Sequence, residues 1–194
     1  MNLLDQKICI VGMGYVGLPL AVCFGRRFKT IGYDIEDKRI SDLRQGIDKT
    51  GELSKEEILS SENLLFSSDL NEIKDCDVYI IAVPTPIDEG LNPDLEIIRK
   101  ASLLVGSVLC EKNIVIYEST VYPGCTEEFC IPILEKKSGL TLNKNFFCGY
   151  SPERVVPGDK SKRVENITKI TSGSNEFASN FINELYASVI LAGT

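Results

Sequence analysis

The sequence predicts a doubly wound α/β fold, a mainly parallel sheet with helices on both faces. Two observations carry this. Short apolar runs alternate with amphipathic stretches along the whole chain, and the apolar runs are continuous rather than alternating, as in strands buried on both faces. Neither an internal repeat nor a composition break divides the 194 residues, so one domain, residues 1–194, is expected.

Taken in order, Lys7–Val11 reads as a strand that ends on a glycine, and Val16–Arg27 as a helix. Thr30–Tyr33 is a second strand with Asp34 at its end, followed by a helix over Glu36–Gln45 that aligns Ile40 and Leu43. A short helix is expected around Ser54–Leu59 and a strand at Leu64–Phe66. Val78–Val83 is a buried strand closed by Pro84, and Leu95–Leu109 a helix with Ile98, Ala101, Leu104 and Val105 on one face. The remainder reads as a strand at Asn113–Tyr117, a helix at Thr126–Lys137, a strand at Phe146–Cys148, a strand at Ile167–Thr171, a helix at Glu176–Leu185 and a last strand near Val189–Leu191.

Composition narrows the function. The net charge of −7 disfavours binding to nucleic acid or an anionic membrane through the overall field. A phosphate-bearing small ligand remains compatible, because helix N-termini hold phosphates locally. The chain lacks histidine, which removes Ser-His-Asp and Cys-His mechanisms and disfavours zinc; no metal is expected. Seven cysteines without a C-x-x-C pair read as reduced, buried thiols of a cytoplasmic protein. Ile8–Gly25 is uncharged for eighteen residues, long enough for a short membrane span, but it holds four glycines and Pro19. No membrane segment is expected.

Those glycines have their own logic. Gly12-Met13-Gly14-Tyr15-Val16-Gly17 fits G-x-G-x-x-G, between an expected strand and an expected helix, with Asp34 standing 22 positions after Gly12. This is the setting of a Rossmann-like dinucleotide site. Gly12 permits the tight turn, Gly14 admits a pyrophosphate, Gly17 lets the helix pack closely, and the helix start offers free N–H groups to phosphate. Asp34 would accept the adenosine ribose hydroxyls and repel a 2′-phosphate, so NAD is expected over NADP; Lys38 and Arg39 close behind weaken the discrimination. The plainer alternative makes the glycines structural turns and Asp34 a helix cap.

Three polar loops should open at the strand C-termini, where this architecture places ligands: Val83-Pro84-Thr85-Pro86, Glu118-Ser119-Thr120-Val121-Tyr122-Pro123-Gly124 and Ser151-Pro152-Glu153-Arg154. Taken singly, each could merely end a strand and cap a helix. Together, and with Gly-Met-Gly-Tyr-Val-Gly-Leu-Pro at 12–19, they resemble the UDP-glucose/GDP-mannose dehydrogenase family over almost the whole chain. The resemblance implies an enzyme that oxidises C6 of a nucleotide sugar through aldehyde to carboxylate with two NAD molecules and a cysteine thioester. It implies that Gly12, Gly14, Tyr15, Val16 and Gly17 contact NAD and that Asp34 and Arg39 hold its adenosine side. Thr85, Ser119 and Thr120 would lie along the cofactor, Thr120 and Glu153 would act in catalysis, and Glu153, Arg154 and Val155 would contact the sugar. From residue chemistry alone, Glu153 is a plausible proton handler and equally an ion-pair partner of Arg154.

Two departures from the family pattern matter. Pro157 stands where UDP-glucose dehydrogenases carry a further glutamate, a likeness to members acting on UDP-N-acetylhexosamines in capsule and O-antigen pathways. A UDP-N-acetylglucosamine-type substrate is therefore expected; UDP-glucose and UDP-N-acetylmannosamine are the alternatives. The family's central helix and Gly-Gly-x-Cys type motif also lack counterparts here, so no cysteine of this chain is assigned as nucleophile. The expectation is a fragment, inactive and monomeric by itself, of an enzyme that dimerises at full length. Two rival readings are a non-catalytic NAD-binding module and a β-hydroxyacid dehydrogenase. Glu118–Thr120 and Glu153 speak against the first and the Ser-Pro-Glu-Arg loop against the second.

Overall fold

The sheet of this chain, seen in a computed structural model that describes residues 3–87, 90, 92–153 and 164–194, has the strand order β3-β2-β1-β4-β5-β6-β7. The strands are β1 Lys7–Val11, β2 Lys29–Tyr33, β3 Leu64–Ser67, β4 Val78–Ile81, β5 Ile114–Tyr117, β6 Phe147–Tyr150 and β7 Ser172–Gly173. The first six run parallel, and β7 pairs antiparallel on the edge. β4 and β5 are buried at every position, which is why their sequences are unbroken apolar runs.

Helices cover both faces. They are α1 Gly17–Gly25, α2 Asp37–Arg44, α3 Lys55–Leu59, α4 Leu70–Ile73, α5 Glu96–Val108, α6 Ile131–Ser138 and α7 Glu176–Ala187. One core joins β1 residues Ile8 and Ile10 to α1, α2 and α7 through Leu18, Phe24, Ile40, Leu43, Ile182 and Tyr186. The other joins Cys9, Tyr79 and Val115 to α5 and α6 through Ile98, Val105 and Leu134. The uncharged run Ile8–Gly25 is thus divided between β1, a turn and α1. No helix among the described residues is long and apolar enough to cross a membrane.

Local chemistry sets several boundaries. Ser54 and Glu57 form a reciprocal capping box at the start of α3. Gly139, at φ +74°, ends α6 in the left-handed conformation. The helix expected over Thr126–Lys137 begins as a π-helical turn, Thr126–Cys130, before continuing as α6.

Two expected strands are corrected. Ile167–Thr171 is not a strand; the edge strand is the two-residue β7 that follows it. The run bonds instead to residues 192 and 193: the Lys169 N–H donates to the Gly193 carbonyl and the Thr168 side-chain hydroxyl to that of Ala192. Val189–Leu191 is likewise a turn, held by N–H groups of Val189 and Ile190 donating to the Tyr186 carbonyl. In these runs Lys169 and Ile190 are buried while Ile170 and Leu191 are exposed, and a few apolar residues in a row do not separate a turn from a strand.

Candidate active site

The register brings the C-termini of β1, β4, β5 and β6 level, through the pairs Val11↔Ile81, Ile81↔Tyr117 and Tyr117↔Tyr150. The chain reverses its strand order between β1 and β4, the place where this architecture opens a crevice. A cleft of about 390 Å³ lies there. It is lined by Tyr15 and Val16 after β1, residues 82–86 after β4, Glu118, Ser119 and Thr120 after β5, and Glu153 after β6.

The glycine loop is shaped by its three glycines in different ways. Gly12 has φ +98°, and a Cβ there would sit 2.9 Å from the Ala82 carbonyl oxygen. A Cβ on Gly17 would lie 1.8 Å from the Gly12 carbonyl oxygen, so α1 can begin there only without a side chain. Beside Gly14 there is open space, which leaves the backbone approachable by a phosphate.

Asp34 and Arg39 stand behind this loop and do not line the cleft. The Asp34 carboxylate accepts the N–H of Met13 at 2.8 Å and that of Glu36 at 3.0 Å. The Arg39 Nε donates to the Met13 carbonyl at 2.8 Å, and a second guanidinium nitrogen donates to Asp48 at 2.8 Å. Both peptide groups of Met13 are therefore held. Asp48 in turn accepts from Thr50, Glu52 and Leu53. Burial acts to raise its pKa, yet the hydrogen bonds from Thr50, Arg39 and Leu53 together hold it below the ordinary carboxylate value.

On the facing wall, hydroxyls lace the loops. Thr85 donates to the Thr120 carbonyl at 2.6 Å, and Ser119 to the Val83 carbonyl at 2.7 Å. Thr120 is exposed at the cleft. Glu153 lines the same cleft, and its N–H donates to the Glu118 carbonyl at 3.3 Å. Arg154 and Val155 lie outside the described residues.

Behind Glu153 sits a cluster that sequence reasoning missed. Lys169 Nζ donates to Glu118 Oε2 at 2.5 Å, to Glu153 Oε2 at 3.0 Å and to the Pro152 carbonyl at 3.4 Å. The Tyr186 hydroxyl donates to the other Glu118 oxygen. The side chains of Lys169, Glu118 and Glu153 are 1%, 0% and 5% exposed. Burial pushes the Glu118 carboxyl up to about 6, partly offset by Lys169. The signal in the sequence was a lone lysine between Ile167 and Ile170, but neighbours along the chain do not reveal which carboxylate a lysine meets.

All the cysteines but the exposed Cys110 are buried, and burial pushes the thiols of Cys9, Cys125, Cys130 and Cys148 up. No metal-holding group of three or more His, Cys, Asp or Glu side chains occurs among the described residues.

With the glycine loop, the acidic end of β2 and the three polar loops in place, comparison with known proteins is decisive. Residues 6–190 match the profile of the UDP-glucose/GDP-mannose dehydrogenase family, NAD binding domain. The chain belongs to that family. Among family relatives, the UDP-N-acetyl-D-glucosamine 6-dehydrogenases of Pseudomonas aeruginosa and of Salmonella typhi are each 53% identical over 190 residues, covering 98% of this chain and 45% of theirs. The chain thus spans a little under half the length of these curated relatives. The solved structure of a UDP-D-ManNAc dehydrogenase from Pyrococcus horikoshii superimposes with a TM-score of 0.88 at 33% identity, over 97% of this chain and 46% of the other. Family membership accounts for NAD as cofactor and for the Rossmann-like fold.

Proposed function

We propose that this chain supplies the NAD-binding and proton-handling half of an enzyme that oxidises C6 of a UDP-N-acetylglucosamine-type sugar to the uronic acid in the cytoplasm. The observation that carries the reading is the placement of Glu153: a carboxylate in the wall of the same cleft that the glycine loop opens. A module that only bound NAD would not require it. The relatives at 53% identity support the choice of sugar; UDP-glucose and UDP-N-acetylmannosamine remain the competing substrates.

The residues fit the cofactor. Gly14 leaves open space beside its backbone, and the start of α1 directs N–H groups toward a pyrophosphate. Asp34 keeps lone pairs for ribose hydroxyls while fixing Met13. Arg39 acts on the adenosine side through the Met13 carbonyl and Asp48. Tyr15, Val16, Thr85 and Ser119 border the remainder of the dinucleotide path. Bound NAD would supply the hydride acceptor. The chain's own part is then proton management: Thr120 presents a hydroxyl at the cleft, and Glu153 takes up a proton or orders water beside the sugar. Arg154 and Val155 would contact the sugar. The thioester-forming cysteine is assigned to no residue of this chain, and dimerisation to the whole enzyme.

Calorimetric titration of the chain with NAD, NADP and UDP-N-acetylglucosamine tests the reading. The expected result is binding of NAD with NADP much weaker. A folded chain that binds neither dinucleotide would overturn it.

A further inference from the structure

We propose that Lys169 is a positioning residue: anchored from behind by the carboxylate of Glu118, its ammonium fixes the Glu153 carboxylate in the cleft wall and joins the two glutamates into one unit. The proposal rests on the reading of Glu153 given above and extends it to three residues outside the motifs' assigned roles.

The geometry allows Lys169 little else. An ammonium has three protons, and here they go to Glu118, Glu153 and the Pro152 carbonyl. Its flexible four-carbon stem is buried, so the charge cannot swing to solvent. Lys169 does not line the cleft and can reach a ligand there only through Glu153. The groups facing the ammonium come from three places: Glu118 at the end of β5, Pro152 and Glu153 after β6, and Tyr186 on α7, whose ring centre is 5.8 Å from Nζ. Tyr186 in turn holds Glu118 through its hydroxyl.

Two carboxylates and one ammonium leave one negative charge in excess when all are ionised. Burial pushes the Glu118 carboxyl up to about 6. When Glu118 takes a proton, the Lys169 charge faces Glu153 alone, and Glu153 must register the change.

The test is carbon-13 NMR of the glutamate carboxyl carbons across pH 4.5–8 (chosen to bracket about 6). Glu153→Gln and Glu118→Gln identify the two resonances. In the unmodified chain, the Glu153 resonance is expected to step at the pH where Glu118 titrates. Glu118→Gln should abolish that step. Lys169→Met should shrink it to what direct repulsion between the two carboxylates leaves, and move the Glu118 midpoint up by about one unit or more. An unmodified chain without the step, or a step unchanged in Glu118→Gln or in the Lys169 variant, overturns the proposal. Where Lys169→Met fails to fold, Lys169→Gln, which keeps a hydrogen-bond donor but no charge, takes its place with the same expectation. Titrating the same unmodified sample with NAD keeps the two readings apart. Absent NAD binding removes the functional reading while the step still judges the clamp, and an absent step removes the clamp while NAD binding persists.

Discussion

Asp34 accepts the backbone N–H of Met13 at 2.8 Å, tying the end of β2 to the glycine loop twenty-one residues earlier. The same carboxylate receives the N–H of Glu36. One side chain thus sets the loop's shape and presents negative charge where the ribose is proposed to bind. Asp34→Ala should lower NAD affinity tenfold or more, since a hydrogen bond to a charged group contributes about 1.5–3 kcal/mol. Calorimetry with NAD measures this. Unchanged affinity in a folded variant would assign Asp34 a purely structural role.

Gly14 and Gly17 separate binding from folding. A Cβ on Gly14 meets nothing within 4 Å, whereas one on Gly17 lies 1.8 Å from a carbonyl oxygen. Gly14→Ala should therefore keep the melting temperature within a few degrees and weaken NAD binding. Gly17→Ala should destabilise the fold by about 2 kcal/mol or more, because backbone must move. Thermal melts paired with NAD titrations distinguish the two; equal melting temperatures would contradict the packing described.

Asp48 is the knot behind Arg39. Its carboxylate accepts hydrogen bonds from Arg39, Thr50, Glu52 and Leu53. Asp48→Ala should cost about 2–4 kcal/mol in urea unfolding, by stranding those donors and the Arg39 charge. The pKa of Asp48 is lowered on folding, so its stabilisation is present above the unfolded carboxylate value and is lost as pH falls through the lowered one.

Glu118 carries the opposite sign. Its pKa rises from 4.5 to about 6 on folding, so the folded state binds more protons than the unfolded state between those values. Stability attributable to Glu118 is full below about pH 4.5 and is lost as pH rises through about 6. The loss is about 2 kcal/mol, from a shift of roughly 1.5 units. Glu118→Gln does not titrate. The difference in unfolding free energy between the parent and this variant should fall by that amount across the window, and a flat difference would exclude the shift.

The sequence by itself determined the strand order through Tyr150, because burial on both faces writes parallel strands as unbroken apolar runs, and the α-helices among them except the four-residue α4. It determined the glycine loop and Asp34, because a tight turn and a close backbone approach tolerate few other residues. It also placed Thr85, Ser119, Thr120 and Glu153 on loops at one sheet edge, since β4, β5 and β6 all run parallel to β1. Tertiary structure decided what those residues touch. Arg39, expected on the adenosine side, meets the Met13 carbonyl and Asp48. Lys169, read as part of a strand, leaves the sheet and places its charge between Glu118 and Glu153, which lie 51 and 16 residues away along the chain. Periodicity reports whether a side chain is buried. The partner of a buried charge is set by the packing of distant segments, and that packing leaves no local mark in the sequence.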